Sequence, residues 1–543
     1  MTPTEAVAGA YERLASGQPA AWISVVPEEE ALARARELED EGPLDRPLWG
    51  VPFAVKDNMD VAGMTTTAGC PAFAYVASCT APAVQLLLDA GAVLVGKTNL
   101  DQFATGLVGT RSPYGTCHSV LDPARIAGGS SSGSAVAVAE GAVRFALGTD
   151  TAGSGRVPAA ANGIVGLKPS RGLVSIDGVV PACRSIDCVS IFARTVADAT
   201  SVLQVLQNVG QDGPKRTASA QVSPRLGVPP AASWGLAPAQ ARAFAQAVTG
   251  LGASADVREV DLTLFLEAGE LLYGPALVAE RLTTIGPLLA KDPDAVHPVV
   301  RQVVEAGLAA TAADVFAAQH RVADLAQRFA TVWQDVDALV LPTVADIPTL
   351  AAVDADPVGA NTALGRWTNG VNLLDLCAVT VPAGTRPDGL PGSVTVVGPS
   401  GADDAVAALA ARIARPRVSL AVVGAHLTGL PLNHQLTDRA AYLERTIRTA
   451  PVYRLFALGT VPPKPGMVRV APGEGGTAVE AEVWSLDVEA FGSFVAEVPP
   501  PLSIGSVELA DGSVVKGFLC EPAALADAED ITAHASWRAW LSR

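Results

Sequence analysis

GGSSSGSAVAVAEGAVRFALGTDTAGSGRVP, residues 128–158, decides how this chain is read, together with VPFAVKDN at 51–58. The first stretch holds two serines, Ser130 and Ser154, each set among small residues. The second holds Lys56, preceded by apolar residues. His118 is the one histidine between Lys56 and Ser154, and it sits in an ordinary loop string, Tyr114-Gly115-Thr116-Cys117-His118. A serine nucleophile needs a base, and where histidine does not supply it lysine is the next candidate. The three residues read as the parts of a Ser-Ser-Lys hydrolase.

Each part has a plainer reading on its own. Around Ser154, Thr149-Asp150-Thr151-Ala152-Gly153-Ser154-Gly155 is small enough to turn sharply. Its successive N–H groups can converge on one oxyanion, yet a Gly-Ser loop is also an ordinary turn. The run Gly128–Ser134 leads into the apolar Ala135–Ala139, as a loop feeding a helix. There Ser131, Ser132 and Ser134 read as capping serines. A phosphate cradle would need a lysine directly after the glycines, and none is present. An isolated lysine is usually a surface group. Behind Val51-Pro52-Phe53-Ala54-Val55, however, burial would lower the pKa of Lys56 and supply a neutral amine.

The chain has 543 residues, 49% hydrophobic and 17% charged, which is globular composition and too long for one ordinary core. A net charge of −17 without a basic cluster argues against nucleic acid as a partner. It also means that an anionic substrate needs its own local cation. No apolar run reaches 18 residues, so no membrane span is expected. The N-terminal MTPTEAVAGAYERLASGQ lacks the basic-then-apolar order of a secretory signal. Seven scattered cysteines (70, 79, 117, 183, 188, 377, 520) have no metal-ligand spacing and fit free thiols in a reducing cytoplasm. No metal or organic cofactor is indicated.

Residues 4–16 and 27–40 read as helices, the second with Glu28, Glu29 and Glu30 at its N-terminal turn, where the helix dipole favours them. Apolar strings at 51–55, 92–95 and 143–147 alternate with helical strings at 83–90 and 134–141. This alternation points to an α/β layered domain with a mixed sheet. Residues 236–250 and 262–335 read as a helical insertion over the sheet. Residues 336–342 read as a buried returning strand, and 405–413 as a last helix before a break at Arg415-Pro416-Arg417. Strand strings at 420–424, 453–458, 467–470, 479–486 and 506–519 follow, the last with an Asp511-Gly512 hairpin signal. The expected division is a large α/β domain at 1–416 and a small second domain at 417–543.

From about Trp49 to Val196 the chain resembles the amidase signature family. The match runs in order through GVPFAVKDNMDVAGMTTTAG, AGAVLVGKTNLDQFATG, SPYG, GGSSSGSA, GTDTAGSGRVPAA and NGIVGLKPSRGLVS. The resemblance implies the amidase signature fold, a mixed central sheet covered by helices. It assigns Ser154 as nucleophile, Ser130 as a bridging serine held by a cis peptide, and Lys56 as general base. It assigns the backbone amides of Thr151, Ala152, Gly153 and Ser154 to the oxyanion hole. Ala152 departs from the glycine of many relatives, a mild change where only a backbone donor is needed.

Within the family the chain most resembles the allophanate-hydrolysing branch. That branch is similar over Asn99–Gly115, over Tyr273–Arg281, and in an appended domain opening at Val422-Val423-Gly424-Ala425-His426-Leu427. The resemblance implies a small anionic amide substrate, with Tyr273 and Arg281 binding it from one face of one helix. Arg281 would pair with the carboxylate; its plainer role is an ion pair with Glu280 or Glu267. The appended domain resembles a γ-glutamylcyclotransferase-like α+β fold and is expected to promote decarboxylation of the first product, with His426 as the candidate residue. His434 reads as a cap or turn, and Tyr453 and Glu482 are weaker candidates. The resemblance further implies a homodimer and a functional link to a biotin-dependent urea carboxylase. Rival readings are an amidase of another small amide, the ammonia-generating component of a tRNA amidotransferase, and a non-catalytic scaffold on the same fold.

Overall fold

The computed structural model describes residues 2–43, 45–207, 224–252, 255–386, 388, 390–414, 417–439, 441–460, 462–471 and 473–543. Its contacts divide the chain into two units, Met1–Val248 with Asp256–Ala414, and Arg415–Arg543 with Thr249–Ala255. Of the break expected at 415–417, Arg415 and Pro416 lie outside the described residues.

The first unit is built on one mixed sheet. Its strands are β1 (Trp22–Val25), β2 (Pro52–Lys56), β3 (Val93–Thr98), β4 (Phe145–Asp150), β5 (Val165–Lys168) and β6 (Cys188–Ala193), then β7 (Arg225–Val228), β8 (Asp256–Glu259), β9 (Ala338–Pro342), β10 (Leu376–Thr385) and β11 (Pro391–Pro399). They lie in the order β1-β3-β2-β4-β6-β5-β10-β11-β9-β7-β8. The part that positions chemistry is β3-β2-β4, where all three strands run parallel. β2, β3 and β4 are buried along their whole length. Continuous apolar runs are what a parallel sheet covered on both faces selects. In register, Lys56 lies beside Thr98, and Val55 beside Leu147. The carboxyl ends of the three strands therefore meet at one edge. Beyond β4 the direction reverses, with Asp150 opposite Cys188 in an antiparallel ladder.

Helices expected at 4–16, 27–40, 83–90 and 405–413 are observed at Pro3–Ser16, Glu28–Glu41, Pro82–Asp89 and Asp403–Ile413. The 262–335 region is helical, but Pro275, Pro298 and intervening turns divide it into several helices, of which Ala312–Phe329 is the longest. β1, β5, β6, β7, β8, β10 and β11 escaped the sequence reading. β8, Asp-Val-Arg-Glu, is an edge strand with no fully buried residue and so no apolar signature.

The second unit carries strands β12 (Arg417–Val422), β13 (Tyr442–Arg448), β14 (Tyr453–Leu458), β15 (Lys464–Arg469), β16 (Glu480–Asp487), β17 (Leu502–Glu508) and β18 (Val514–Cys520). Five of them form the sheet β13-β16-β12-β18-β17, and β14 and β15 pair in a smaller one. β17 and β18 are the arms of the Asp511-Gly512 hairpin, where Gly512 has a φ of +82°. Helices Val488–Ala496 and Trp537–Leu541 help cover a separate core that includes Tyr453, Trp484, Phe494 and Trp537.

The helix Ser132–Ala139 is wedged so closely against the chain that a Cβ on Gly133 would lie 2.1 Å from the Ala21 carbonyl oxygen and 2.6 Å from the Asn99 nitrogen. Gly133→Ala should therefore cost on the order of 1–3 kcal/mol through overpacking. Gly9→Ala, whose Cβ would enter open space in the helix Pro3–Ser16, should be neutral or stabilising by about 0.5–1 kcal/mol. Thermal melts of the two variants beside the parent check the contrast; equal melting temperatures would contradict it.

Candidate active site

Lys56 ends β2 wholly buried. Its Nζ donates to Ser130 Oγ at 2.7 Å and to Thr149 Oγ1 at 2.7 Å. It forms no ion pair among the described residues. Burial pulls its pKa down to about 7, against the opposing fields of Asp101, Asp187 and Asp150. Lys97, also buried and one strand away, instead lies 3.0 Å from Asp57. Of the two, Lys56 is the amine held by hydroxyls alone.

Ser130 follows a cis peptide bond from Gly129, in the loop entering the helix Ser132–Ala139. Of the serines read as caps, Ser131 is at the N-cap but makes no side-chain capping bond. Its hydroxyl donates to the Thr149 carbonyl at 3.2 Å, and that of Ser134 donates to the Leu147 carbonyl at 3.0 Å. These hydroxyls pin the helix to β4 instead of closing its end. A helix start packed flat on a strand offers strand carbonyls as stronger local partners.

Ser154 is buried, and its hydroxyl donates to the Gly106 carbonyl at 3.5 Å. Among the described residues it makes no hydrogen bond to Ser130. The loop that carries it is set by Asp150. This carboxylate accepts from Gly153 N at 2.9 Å and Gly155 N at 3.1 Å, and pairs bidentately with Arg156 through Nε at 3.0 Å and Nη2 at 2.8 Å. Burial alone would raise the Asp150 carboxyl, but the Arg156 guanidinium holds it below its ordinary range. Arg156 reaches on to the Thr368 carbonyl at 3.0 Å and to Asn372 Oδ1 at 2.8 Å.

Of the four amides assigned to the oxyanion hole, that of Gly153 donates to Asp150. The amides of Thr151, Ala152 and Ser154 have no acceptor among the described residues. The Thr151 hydroxyl donates to Asp187 at 2.5 Å, and burial pushes that carboxyl up to about 6.

Arg281 is wholly buried. Its Nη1 donates to Thr105 Oγ1 at 2.9 Å, while Nε has no partner among the described residues. It forms no ion pair among the described residues. The carboxylates expected as neighbours are engaged elsewhere: Glu280 accepts from Ser185 N at 2.8 Å, and Glu267 pairs with Arg321. Tyr273 and Arg281 do not share one helix. Thr263–Leu271 ends before Tyr273, and Gly274-Pro275 starts a new helix. The guanidinium still lies 5.8 Å from the Tyr273 ring centroid. Thr105, which accepts from Arg281, and Gly106, which accepts from Ser154, are consecutive, so one loop residue pair links the two groups.

In the second unit, His426 is largely buried. Its Nε2 is 2.9 Å from Gln435 Oε1, its ring stacks on Phe518 at 5.0 Å, and Phe494 meets it edge-on at 5.2 Å. It faces a cavity of about 220 Å³. His434 is exposed and bonds the Pro431 carbonyl through Nδ1 at 2.9 Å, in the manner of a turn. Neither Tyr453 nor Glu482 borders that cavity. The Tyr453 hydroxyl accepts from Glu508 N at 2.8 Å, and Glu482 pairs with Arg538 at 2.8 Å.

Sequence reasoning missed Thr149, Thr105, Asp187 and the Asp150–Arg156 pair. Thr149, Asp150 and Arg156 lie within the Gly128–Pro158 stretch. Asking what else a buried amine at Lys56 must bond would have singled out Thr149.

Residues 5–407 match the family model described as Amidase, and residues 418–542 that of the Allophanate hydrolase C-terminal domain. The chain is 41% identical to the urea amidolyase of Saccharomyces cerevisiae, a match covering 96% of this chain and 31% of that protein. It thus spans about a third of that relative's length. The solved allophanate hydrolase of Kluyveromyces lactis is 38% identical, with a TM-score of 0.72, over 100% of this chain and 97% of that one. A glutamyl-tRNA(Gln) amidotransferase component from Acidobacterium capsulatum is 34% identical over 70% of this chain and 89% of that protein. The chain belongs to the amidase family, and it carries in addition the C-terminal domain of the allophanate hydrolases.

Proposed function

We propose that the first unit hydrolyses the terminal amide of allophanate, a urea that bears a carboxylate, through an acyl-enzyme on Ser154. The observation that carries this reading is Arg281: a buried guanidinium with a single hydrogen bond, an unpartnered Nε and no counter-ion among the described residues. A buried charge without a partner is costly, and a substrate carboxylate arriving bidentately would relieve it. A neutral amide would not. Tyr273 beside it is placed to donate to a substrate oxygen.

The chemistry then follows from the residues around Ser154. Neutral Lys56 takes the proton of Ser130 while Ser130 takes that of Ser154, whose oxygen attacks the amide carbon. The amides of Thr151, Ala152 and Ser154 receive the oxyanion; one such donor is typically worth on the order of 3 kcal/mol. The proton returns by the same relay to the leaving ammonia. Water next cleaves the acyl-enzyme, and the product is N-carboxycarbamate. In the second unit, His426 promotes its decarboxylation; burial keeps that imidazole below its ordinary pKa and so neutral.

The wider setting belongs to the same reading. We take the chain as a homodimer acting in the cytoplasm on allophanate made by a separate, biotin-dependent urea carboxylase. The greater length of the urea amidolyase relative fits such a link, and the seven free cysteines fit a reducing compartment. Among the described residues no helix is long and apolar enough to cross a membrane.

Three outcomes are expected. Ammonia release from freshly prepared allophanate should be rapid in the parent and lost in Ser154→Ala; release from glutamine instead would move the chain to the amidotransferase reading. Arg281→Ala should lower kcat/KM for allophanate by about a hundredfold, since a buried charge-assisted pair is worth roughly 2–5 kcal/mol, with little effect on malonamide, which has no carboxylate. An equal loss on both substrates would remove Arg281 from recognition. Finally, Lys56 is a base only when unprotonated, and its pKa lies at about 7. The kcat/KM for allophanate should therefore rise as pH increases through that value and fall about tenfold per unit below it. A flat profile down to about pH 4, where a lysine near its folded value would be fully charged, excludes a lysine base.

A further inference from the structure

The cavity beside His426 holds a feature that the decarboxylation reading does not use. Lys464, the first residue of β15, borders it together with Phe494 of the helix Val488–Ala496. Among the described residues its ammonium has no hydrogen-bond or ion-pair partner. The cavity's one carboxylate, Glu497, is already bound to Arg439 at 2.6 Å. The remaining polar groups are His426, kept neutral by burial, and Gln435, engaged with it at 2.9 Å. The other walls are apolar, with Phe518 and Phe494 fixing the imidazole by stacking and edge contact.

The backbone is built to bring Lys464 to this spot. Gly424, two residues before His426, is approached so closely by the next residue of β15 that a Cβ on it would lie 2.2 Å from Pro465 Cδ. A side chain at 424 would push the lysine strand away from the histidine loop. Lys464 and His426 also border a second, water-sized recess. With Glu497 neutralised by Arg439, the cavity keeps a positive charge in a chain of net charge −17, and at about 220 Å³ it suits a molecule of a few heavy atoms.

We propose that this cavity is a binding site for a small dicarboxylate, with Lys464 as its specificity-determining cation; resting on the allophanate reading, the occupant is N-carboxycarbamate released at Ser154. Lys464 takes one carboxylate. The second carboxylate and the bridging nitrogen then lie toward the neutral imidazole of His426. A monocarboxylate or a neutral amide would leave half of these groups unused.

Malonate, which has the same two carboxylates on a single bridging atom, is the probe. It is titrated into the full-length chain carrying Arg281→Ala, so that the first unit's cation does not contribute. Lys464→Gln in that background should weaken malonate binding by about tenfold or more, the usual loss when one partner of a charge-assisted pair is removed, and Lys464→Arg should restore most of it. Acetate should bind weakly to all forms. Unchanged malonate affinity in Lys464→Gln overturns the proposal. A separate readout tests the underlying reading: carbon dioxide evolution timed against ammonia release, with Lys464 intact. If His426→Ala evolves carbon dioxide as promptly as the parent, the decarboxylation role fails, while the malonate titration still decides whether the lysine site exists. In a chain that keeps His426 and Arg281, Lys464→Gln should delay carbon dioxide and leave ammonia release from the Ser154 site unchanged.

Discussion

The first unit depends on one buried amine. Lys56 sits at the end of a strand closed on both sides by parallel neighbours, with Ser130 and Thr149 as its hydrogen-bond partners. Desolvation favours its neutral form, and two hydroxyls satisfy that form without supplying a counter-charge. A carboxylate at the same distance would work against that effect, as Asp57 does at Lys97, where burial still lowers the pKa. The catalytic option is thus set by which partners the sheet brings to the strand end. β4 and the loop before the helix Ser132–Ala139 supply hydroxyls to Lys56, and the acids that reach it act only through space.

Around that amine, a second buried pair fixes the loop geometry. Asp150 and Arg156 are six residues apart, yet each is completed by atoms far along the chain at Thr368 and Asn372. Asp150 consumes the Gly153 amide and leaves those of Thr151, Ala152 and Ser154 without acceptors among the described residues. The same residue that stiffens the loop therefore chooses which amides remain available. A buried ion pair is a poor source of net stability, but its breakage is costly, which suits a part whose task is to hold a shape.

The chemistry-bearing strings were legible because they are local: Lys56 behind an apolar strand, and serines among glycines ahead of a helix. So were the main helices and the hairpin at Asp511-Gly512. What the sequence concealed was long-range. The serines read as caps bond a neighbouring strand, because only the packed sheet offers those carbonyls. The Tyr273–Arg281 segment looks like one helix by spacing, but Gly274-Pro275 breaks it, and the two side chains meet across the break. β8 was missed because an edge strand with little burial has no alternation to read.

The two units, though unlike in fold, share one electrostatic design. In the first, a lysine whose pKa burial pulls down to about 7 shares the unit with a guanidinium without a counter-ion among the described residues. In the second, a histidine whose pKa is lowered by burial shares a cavity with an ammonium in the same condition. Acidic side chains outnumber basic ones in this chain, 55 to 38, so carboxylates to pair with are in excess. Other arginines find them, from Arg225 with Asp337 to Arg543 with Glu529, whereas among the described residues Arg281 and Lys464 do not. An unpaired cation in the same unit attracts an anion without itself pairing with the base. On the proposed reading, that combination suits consecutive steps on a substrate that stays anionic throughout.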